Sequence, residues 1–130
     1  MARRPVPRVL IVDDHLEMAR SVARLLGGDV DAVTVASGPD ALARIADSDR
    51  FDLVLCDVMM PGMTGIELFE RVRAIDPATA AAFVFTTGGV SPEYQMLLDA
   101  TGARCLLKPC DFNDLKRLLA TVRRDPERRG

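Results

Sequence analysis

Apolar runs alternate along the chain with segments of helical period, five times between residues 8 and 122. The short, β-branched runs are typical of buried strands, and they cover residues 8–12, 32–36, 53–56, 83–85 and 103–107. After each run, apolar residues recur at spacings of three and four, which predicts amphipathic helices. These helical faces are formed by Ala19, Val22, Ala23 and Leu26; by Leu42, Ile45 and Ala46; by Leu68, Val72 and Ile75; by Tyr94, Leu97 and Leu98; and by Leu115, Leu118, Leu119 and Val122.

Helix-capping and helix-breaking residues mark the boundaries of these elements. Ser37 and Ser91 are predicted N-caps, and Gly27-Gly28 and Asp76-Pro77 are predicted to end helices. Five strands alternating with five helices predict a doubly wound α/β domain with a parallel sheet, because right-handed crossovers return each helix to a face of the sheet.

The length of 130 residues fits one compact domain, which we expect to cover residues 8–123 between flexible tails at residues 1–7 and 124–130. No apolar run approaches the roughly 20 residues that span a bilayer. We therefore expect a cytoplasmic protein that has no membrane partner. The three cysteines lack a Cys-x-x-Cys spacing, so reduced, mostly buried thiols are expected rather than disulfides or a zinc site.

The charge distribution argues against direct binding of nucleic acid. Residues 9–122 carry 10 basic and 17 acidic side chains, and the remaining arginines lie near the two ends. Phosphate backbones are bound by clustered lysine and arginine, which the body of the domain lacks.

Charged and hydroxyl side chains lie where the predicted strands end. They are Asp13-Asp14, Asp57, Thr86-Thr87 and Lys108. Ligands of doubly wound sheets bind at this edge, and carboxylates that meet there repel one another unless a cation joins them. Oxygen ligands without cysteine or histidine favour Mg²⁺. A carboxylate nucleophile, a metal ion, a lysine and a hydroxyl together indicate phosphoryl transfer.

Several neighbouring residues allow more than one interpretation. Thr86 competes with Thr87 for the hydroxyl role, because the end of a strand is uncertain by a residue or more. His15 is interpreted as a solvated helix cap rather than as a ligand or base. Cys56 should point away from the site, because side chains alternate along a strand. The methionines at positions 59, 60 and 63 form either a partner surface or simple loop packing.

Four segments carry a resemblance to a known family: Ile11-Val-Asp-Asp14; Leu55-Cys-Asp57-Val-Met-Met-Pro-Gly62 followed by Gly65; Phe85-Thr-Thr87-Gly88; and Lys108-Pro109. Over residues 8–123 the chain resembles the receiver domain of two-component response regulators. The resemblance implies a flavodoxin-like fold with strand order 2-1-3-4-5.

The resemblance also implies a metal site and a phosphorylation site. Asp57 resembles the phosphoacceptor, which takes the phosphoryl group from a phosphohistidine and also binds the metal. Asp14 resembles a direct Mg²⁺ ligand, and Asp13 a ligand that acts directly or through water. The backbone carbonyl of Met59 resembles the last protein ligand.

Two further residues resemble the parts that respond to phosphorylation. Thr87, which precedes the small Gly88, resembles the hydroxyl residue that moves toward the phosphoryl group. Lys108 resembles the family lysine that pairs with Asp57 and then with a phosphoryl oxygen. The bond from Lys108 to Pro109 is a candidate for the cis form, since X-Pro bonds adopt this form at a cost of only about 0.5 to 1 kcal/mol.

The chain departs from the family pattern near its fifth strand. Cys105 stands where receivers often carry an aromatic residue, and Cys110 stands where phenylalanine is usual. In such receivers the aromatic ring moves inward together with the hydroxyl residue, and a thiol cannot replace it. The substitution therefore puts in doubt an output mechanism that depends on that ring. The shortened segment between Thr87 and Lys108 is similar to receivers of hybrid sensor kinases.

The resemblance implies a signalling switch rather than an enzyme, apart from its own phosphorylation and slow dephosphorylation. Its partners would be a sensor histidine kinase and a downstream protein. One alternative is a phosphorelay intermediate within a hybrid kinase, and another is a binding module that is not phosphorylated. A dehalogenase-type aspartyl phosphatase is disfavoured, because Met59 stands where that class needs a second acid.

Overall fold

The structure is a computed structural model that describes residues 6–47 and 50–123. The predicted tails therefore lie mostly outside the described residues. Within the first of them, Pro7 is buried and its carbonyl accepts a 2.8 Å hydrogen bond from the amide of Asp31. In the described ranges, no helix combines the length and the apolar character needed to cross a membrane.

Five parallel strands form one sheet in the order β2-β1-β3-β4-β5, as the resemblance implied. The strands are β1 (Arg8–Val12), β2 (Asp31–Val35), β3 (Leu53–Asp57), β4 (Phe83–Thr87) and β5 (Arg104–Leu107). Strands β3 and β4 are buried along their whole length, because neighbouring strands and helices cover them on every side.

Six α-helices are present in the described part of the chain, one more than predicted. They are α1 (Leu16–Leu26), α2 (Gly38–Ala46), α3 (Gly65–Ile75), α4 (Pro77–Ala80), α5 (Pro92–Ala100) and α6 (Phe112–Arg123). The extra helix is α4, a single turn whose N-cap is Asp76 and whose first residue is Pro77. The sequence predicts only a helix end at Asp76-Pro77, because four residues are too few to show a helical period.

Side-chain caps fix where several helices begin. Ser37 and Ser91 accept hydrogen bonds from the amides of Asp40 and Tyr94, which confirms both predicted N-caps. Helix α3 begins with a capping box: Thr64 Oγ1 accepts from the amide of Glu67, whose carboxylate accepts from the amide of Thr64. The start of α3 is thereby held at the end of the loop that follows β3.

The core forms two layers, one on each face of the sheet. One layer joins the sheet to α2, α3, α4 and α5, and it contains edge-to-face contacts among Phe69, Phe83 and Phe85 at ring distances of 5.5 to 5.9 Å. The other joins the sheet to α1 and α6. Helix α3 buries Phe69 rather than the predicted Ile75, which is exposed.

Candidate functional site

The carboxyl ends of four strands meet at one edge of the sheet. Backbone hydrogen bonds lock this edge, because the amide of Val58 donates to the carbonyl of Thr86 at 3.1 Å and the amide of Lys108 donates to the carbonyl of Thr87 at 2.8 Å. Asp57 is the last residue of β3, and its register partner is Thr86. The strand ends therefore bring Asp57, Thr86, Thr87 and Lys108 to the same edge of the sheet.

Lys108 joins two of the predicted carboxylates. Its Nζ lies 3.2 Å from Asp57 Oδ1 and 3.3 Å from Asp13 Oδ2. The side chains of Asp13 and Asp57 are only 7% and 8% exposed, and that of Lys108 is 22% exposed. The acids thus lie in a nearly buried position where one ammonium group contacts both.

Burial raises the pKa of Asp57 above its ordinary value of 3.8. The positive charge and hydrogen bond of Lys108 pull this pKa down, while the negative charges of Asp13 and Asp14 push it up. The net rise shows that Lys108 alone does not offset burial together with the neighbouring negative charges. A further cation at this edge would favour the ionised form of Asp57.

The pKa of Lys108 is also raised above its ordinary value of 10.5. Burial opposes the charged form, but the charges of Asp57 and Asp13, and hydrogen bonds to both, outweigh it. Lys108 is therefore a positively charged group at neutral pH, placed beside the carboxylate of Asp57.

Asp14 completes the group of acids. Its Oδ1 atom is buried and accepts no hydrogen bond from the described residues. An orphaned, buried carboxylate oxygen is costly unless an unseen partner such as an ion satisfies it. Together with the oxygen-rich surroundings, this atom shows that the residues fit a hard divalent cation.

The side chain of His15, which the sequence predicts to be a solvated cap rather than a ligand, lies beside the same acids. Its Nδ1 is 3.6 Å from Asp13 Oδ1 and 3.5 Å from Asp14 Oδ1. One potential ligand atom from each of Asp13, Asp14 and His15 lies within 4.8 Å of the other two. His15 is the N-cap residue of α1, as interpreted, but its side chain makes no capping hydrogen bond.

The loop after β3 carries Met59, whose side chain is exposed. The loop is tied back at its end, because the amide of Gly65 donates to the carbonyl of Val58 at 2.8 Å. A Cβ atom at position 65 would lie 2.5 Å from the carbonyl oxygen of Asp57. The sequence supplied Gly65 as part of a motif, but it did not show that this close approach to Asp57 requires glycine.

Both candidate hydroxyl residues are buried at the end of β4. The Oγ1 atom of Thr87 accepts a 3.0 Å hydrogen bond from the amide of Gly89. Thr86 lines a cavity of about 210 Å³ that also contacts Asp13 and Lys108. The two residues therefore have different surroundings, and the choice between them stays a prediction.

The cavity beside the acids is mostly apolar. It lies between α1, α6 and the sheet, and its lining includes Met18, Val22 and Cys110.

Cys56 is buried in the opposite core layer, as the alternation predicted, and its burial and the charges of Asp57 and Asp13 raise the thiol pKa. The peptide bond between Lys108 and Pro109 is cis, which confirms that prediction.

Comparison with known proteins agrees with this geometry. The sequence profile of the family described as the response regulator receiver domain matches residues 9–120. The chain is 36% identical to the transcriptional regulatory protein ZraR of Salmonella typhimurium over 85% of its own length and 25% of the relative. It is 34% identical to the sensor histidine kinase RcsC of Salmonella typhi over 86% of its own length and 12% of the relative.

Solved structures show the same fold. The chemotaxis protein CheY4 of Vibrio cholerae superposes with a TM-score of 0.77 at 34% identity, covering 90% of this chain and 98% of that one. A CheY-like receiver from Methanospirillum hungatei gives a TM-score of 0.83 at 28% identity, covering 96% and 99%.

This chain belongs to the response regulator receiver domain family. Receiver domains are signalling domains that bind Mg²⁺ through an acidic pocket and interact with histidine kinases and output domains. The chain spans less than half the length of the curated relatives described above.

Proposed function

We propose that this chain is a phosphoacceptor switch, which receives a phosphoryl group on Asp57 from a histidine kinase and then controls a partner protein. The observation that supports this most strongly is the contact between Asp57 and Lys108, 3.2 Å apart in a nearly buried group of acids. A structural aspartate at the end of a strand needs neither a buried ammonium partner nor two neighbouring carboxylates. A nucleophile for phosphoryl transfer needs both positive charge and a divalent ion nearby.

In the proposed reaction, a carboxylate oxygen of Asp57 forms a bond to phosphorus. The bond between phosphorus and the imidazole nitrogen of the kinase phosphohistidine breaks, and its electron pair leaves with that nitrogen. Lys108, which contacts the carboxylate before the reaction, would contact a phosphoryl oxygen afterwards. The product is an acyl phosphate on Asp57.

The proposed metal ligands are the carboxylates of Asp13, Asp14 and Asp57 and the backbone carbonyl of Met59. The orphaned Oδ1 atom of Asp14 and the raised pKa of Asp57 support this set. When bound, Mg²⁺ would neutralise charge on the phosphoryl oxygens. Asp57 would then serve as both a ligand and the nucleophile.

The proposed switch couples this site to the surface formed by α5, β5 and α6. Thr87 would exchange its hydrogen bond from Gly89 for one to the phosphoryl group. The carbonyl of Thr87 accepts a hydrogen bond from the amide of Lys108, so a shift at the end of β4 would reach the segment after β5. Large apolar side chains are exposed on this surface, namely Met96, Leu97, Leu107 and Phe112.

A second candidate function is that of a phosphorelay intermediate in a hybrid kinase. It is supported by the similarity to a segment that makes up 12% of RcsC, a sensor histidine kinase. The chemistry at Asp57 would be the same. The next step would differ, because the phosphoryl group would pass on to a histidine of another domain.

The test is to incubate the chain with Mg²⁺ and acetyl phosphate and to measure its intact mass. We expect the wild type to gain one phosphoryl group, and Asp57→Asn or removal of Mg²⁺ to abolish the gain. Asp40→Asn, at an exposed carboxylate of α2, is the matched control and should be phosphorylated like the wild type. Phosphorylation of Asp57→Asn, or sustained hydrolysis of free phosphomonoesters, would contradict the proposal.

A further inference from the structure

His15 occupies an unusual position for a helix N-cap. Its side chain is 74% exposed and makes no capping hydrogen bond. Its backbone amide instead donates a 2.9 Å hydrogen bond to Asp13 Oδ1, which turns the chain so that the imidazole lies beside the acids. The ring is therefore positioned by the same turn that positions Asp13.

The distances fit joint ligation of one ion. Two ligand atoms bound to the same small divalent ion, each at about 2.1 Å, are at most about 4.2 Å apart. Nδ1 of His15 lies 3.5 Å from Asp14 Oδ1 and 3.6 Å from Asp13 Oδ1, so both separations are within that limit. They are too long for well-formed hydrogen bonds.

The orphaned oxygen of Asp14 lies beside the imidazole of His15. It is buried, accepts no hydrogen bond from the described residues, and lies 3.5 Å from Nδ1 of His15. With the ring proton on Nε2, Nδ1 has a free lone pair and is itself a metal ligand. One carboxylate oxygen without a partner and one imidazole nitrogen thus lie next to each other.

We propose that His15 is an additional ligand of the divalent-ion site, so that this receiver has a mixed nitrogen and oxygen site. This inference rests on the proposed metal site of Asp13, Asp14 and Asp57. Its consequence is a changed preference among ions, because imidazole binds Ni²⁺ and other later transition metals well, whereas Mg²⁺ favours oxygen ligands. The site should therefore bind Ni²⁺ more tightly than its carboxylates alone would.

The direct test uses Mn²⁺ and electron spin echo envelope modulation on the untagged chain. His15 is the one histidine in the sequence, so an imidazole nitrogen coupled to bound Mn²⁺ identifies it without ambiguity. We expect nitrogen modulation in the wild type and its loss in His15→Asn. Asparagine is a favourable N-cap residue, so this variant should keep α1 intact.

A second measurement compares ion affinities by calorimetry. We expect His15→Asn to weaken Ni²⁺ binding about tenfold, while Mg²⁺ binding changes less than about twofold. Glu17→Gln removes an exposed charge from the first turn of the same helix and should leave both affinities near those of the wild type.

The outcomes separate this inference from the proposed function. If Mn²⁺ binds, Asp14→Asn abolishes binding, and nitrogen modulation is absent, His15 is not a ligand and the carboxylate site stands. Equal losses of Ni²⁺ and Mg²⁺ affinity in His15→Asn would also overturn the inference. If the wild type binds no divalent ion, both the inference and the metal-dependent function are wrong.

Discussion

Gly65 lies against the backbone of Asp57 so closely that no side chain fits between them. A Cβ atom at position 65 would be 2.5 Å from the carbonyl oxygen of Asp57 and 3.1 Å from the Cα atom of Val58. The first residue of α3 therefore sets how near this helix approaches the end of β3, and with it the position of the proposed phosphoacceptor.

Gly65→Ala should destabilise the protein by about 2 kcal/mol, because the methyl group must push the backbone at Asp57 away from α3. The free energy of unfolding from urea denaturation measures this. Gly28→Ala is the control, since a Cβ atom there has nothing within 4 Å, and it should change stability by less than about 0.5 kcal/mol. Equal effects of the two substitutions would show that the close approach does not constrain the fold.

Lys108→Met should lower the free energy of unfolding of the metal-free protein by about 2 kcal/mol. The substitution keeps the apolar stem of the side chain but leaves the nearly buried carboxylates of Asp13 and Asp57 without their ammonium partner. Added Mg²⁺ should recover part of the loss, because the proposed metal ligands remain. The comparison is with Lys116→Met, at an exposed lysine of α6, which should have little effect. A loss no larger than that of Lys116→Met would show that the ion pairs of Lys108 do not stabilise the folded protein.

Mg²⁺ affinity should fall as the pH is lowered from about 8 to about 5, because protons and metal compete for the same carboxylates. The raised pKa of Asp57 moves this competition to a higher pH than its ordinary value of 3.8 would give. Calorimetry at several pH values measures the slope. In Asp57→Asn the dependence should be shallower, and an unchanged slope in that variant would place the competing proton elsewhere.

The same raised pKa has a consequence for stability without metal. The folded protein binds the proton of Asp57 more tightly than the unfolded chain does. The stability that protonated Asp57 contributes to the folded protein is therefore present at low pH. It is lost as the pH rises from 3.8 through the raised pKa. Mg²⁺ should be most stabilising above that range, where Asp57 is ionised.

Thr87→Ala should allow phosphorylation of Asp57 but remove most of the conformational response. The reason is that the hydroxyl now held by the amide of Gly89 would no longer be available to the phosphoryl group. Amide chemical-shift changes in α5 and α6 on phosphorylation measure the response. Thr87→Ser keeps the hydroxyl and should respond like the wild type. A response lost in Thr86→Ala and kept in Thr87→Ala would assign the role to Thr86.

The hydrophobic pattern was sufficient to predict the five strands and all five longer helices, because buried strands and amphipathic helices repeat on different periods. It was wrong about single positions on three helical faces, because Ala46 of α2, Ile75 of α3 and Leu97 of α5 are exposed. Leu68 and Val72 are buried in α3, but Phe69 completes the face and Ile75 is exposed at the helix end. The packing of Phe69 against Phe83 and Phe85 decides this. These residues belong to different elements, so the spacing of apolar residues within one helix does not predict their contact.

The polar ends of the strands were harder to delimit. Asp57, Thr86 and Thr87 belong to the strands, whereas their polar side chains suggested that the strands ended before them. Pairing of Asp57 with Thr86 extends β3, and pairing of Thr86 and Thr87 with β5 extends β4. The position of His15 beside Asp13 and Asp14 depends on the turn that leads into α1, and sequence spacing does not describe that turn.

The loop between β3 and α3 is fastened at both ends, by the hydrogen bond from Gly65 to Val58 and by the capping box of Thr64 and Glu67. An ion that binds the carbonyl of Met59 would therefore meet a backbone that has already given up much of its conformational freedom. Folding would then already have offset much of the entropy cost of ordering this proposed ligand, so the short exposed loop would be preorganised for the ion.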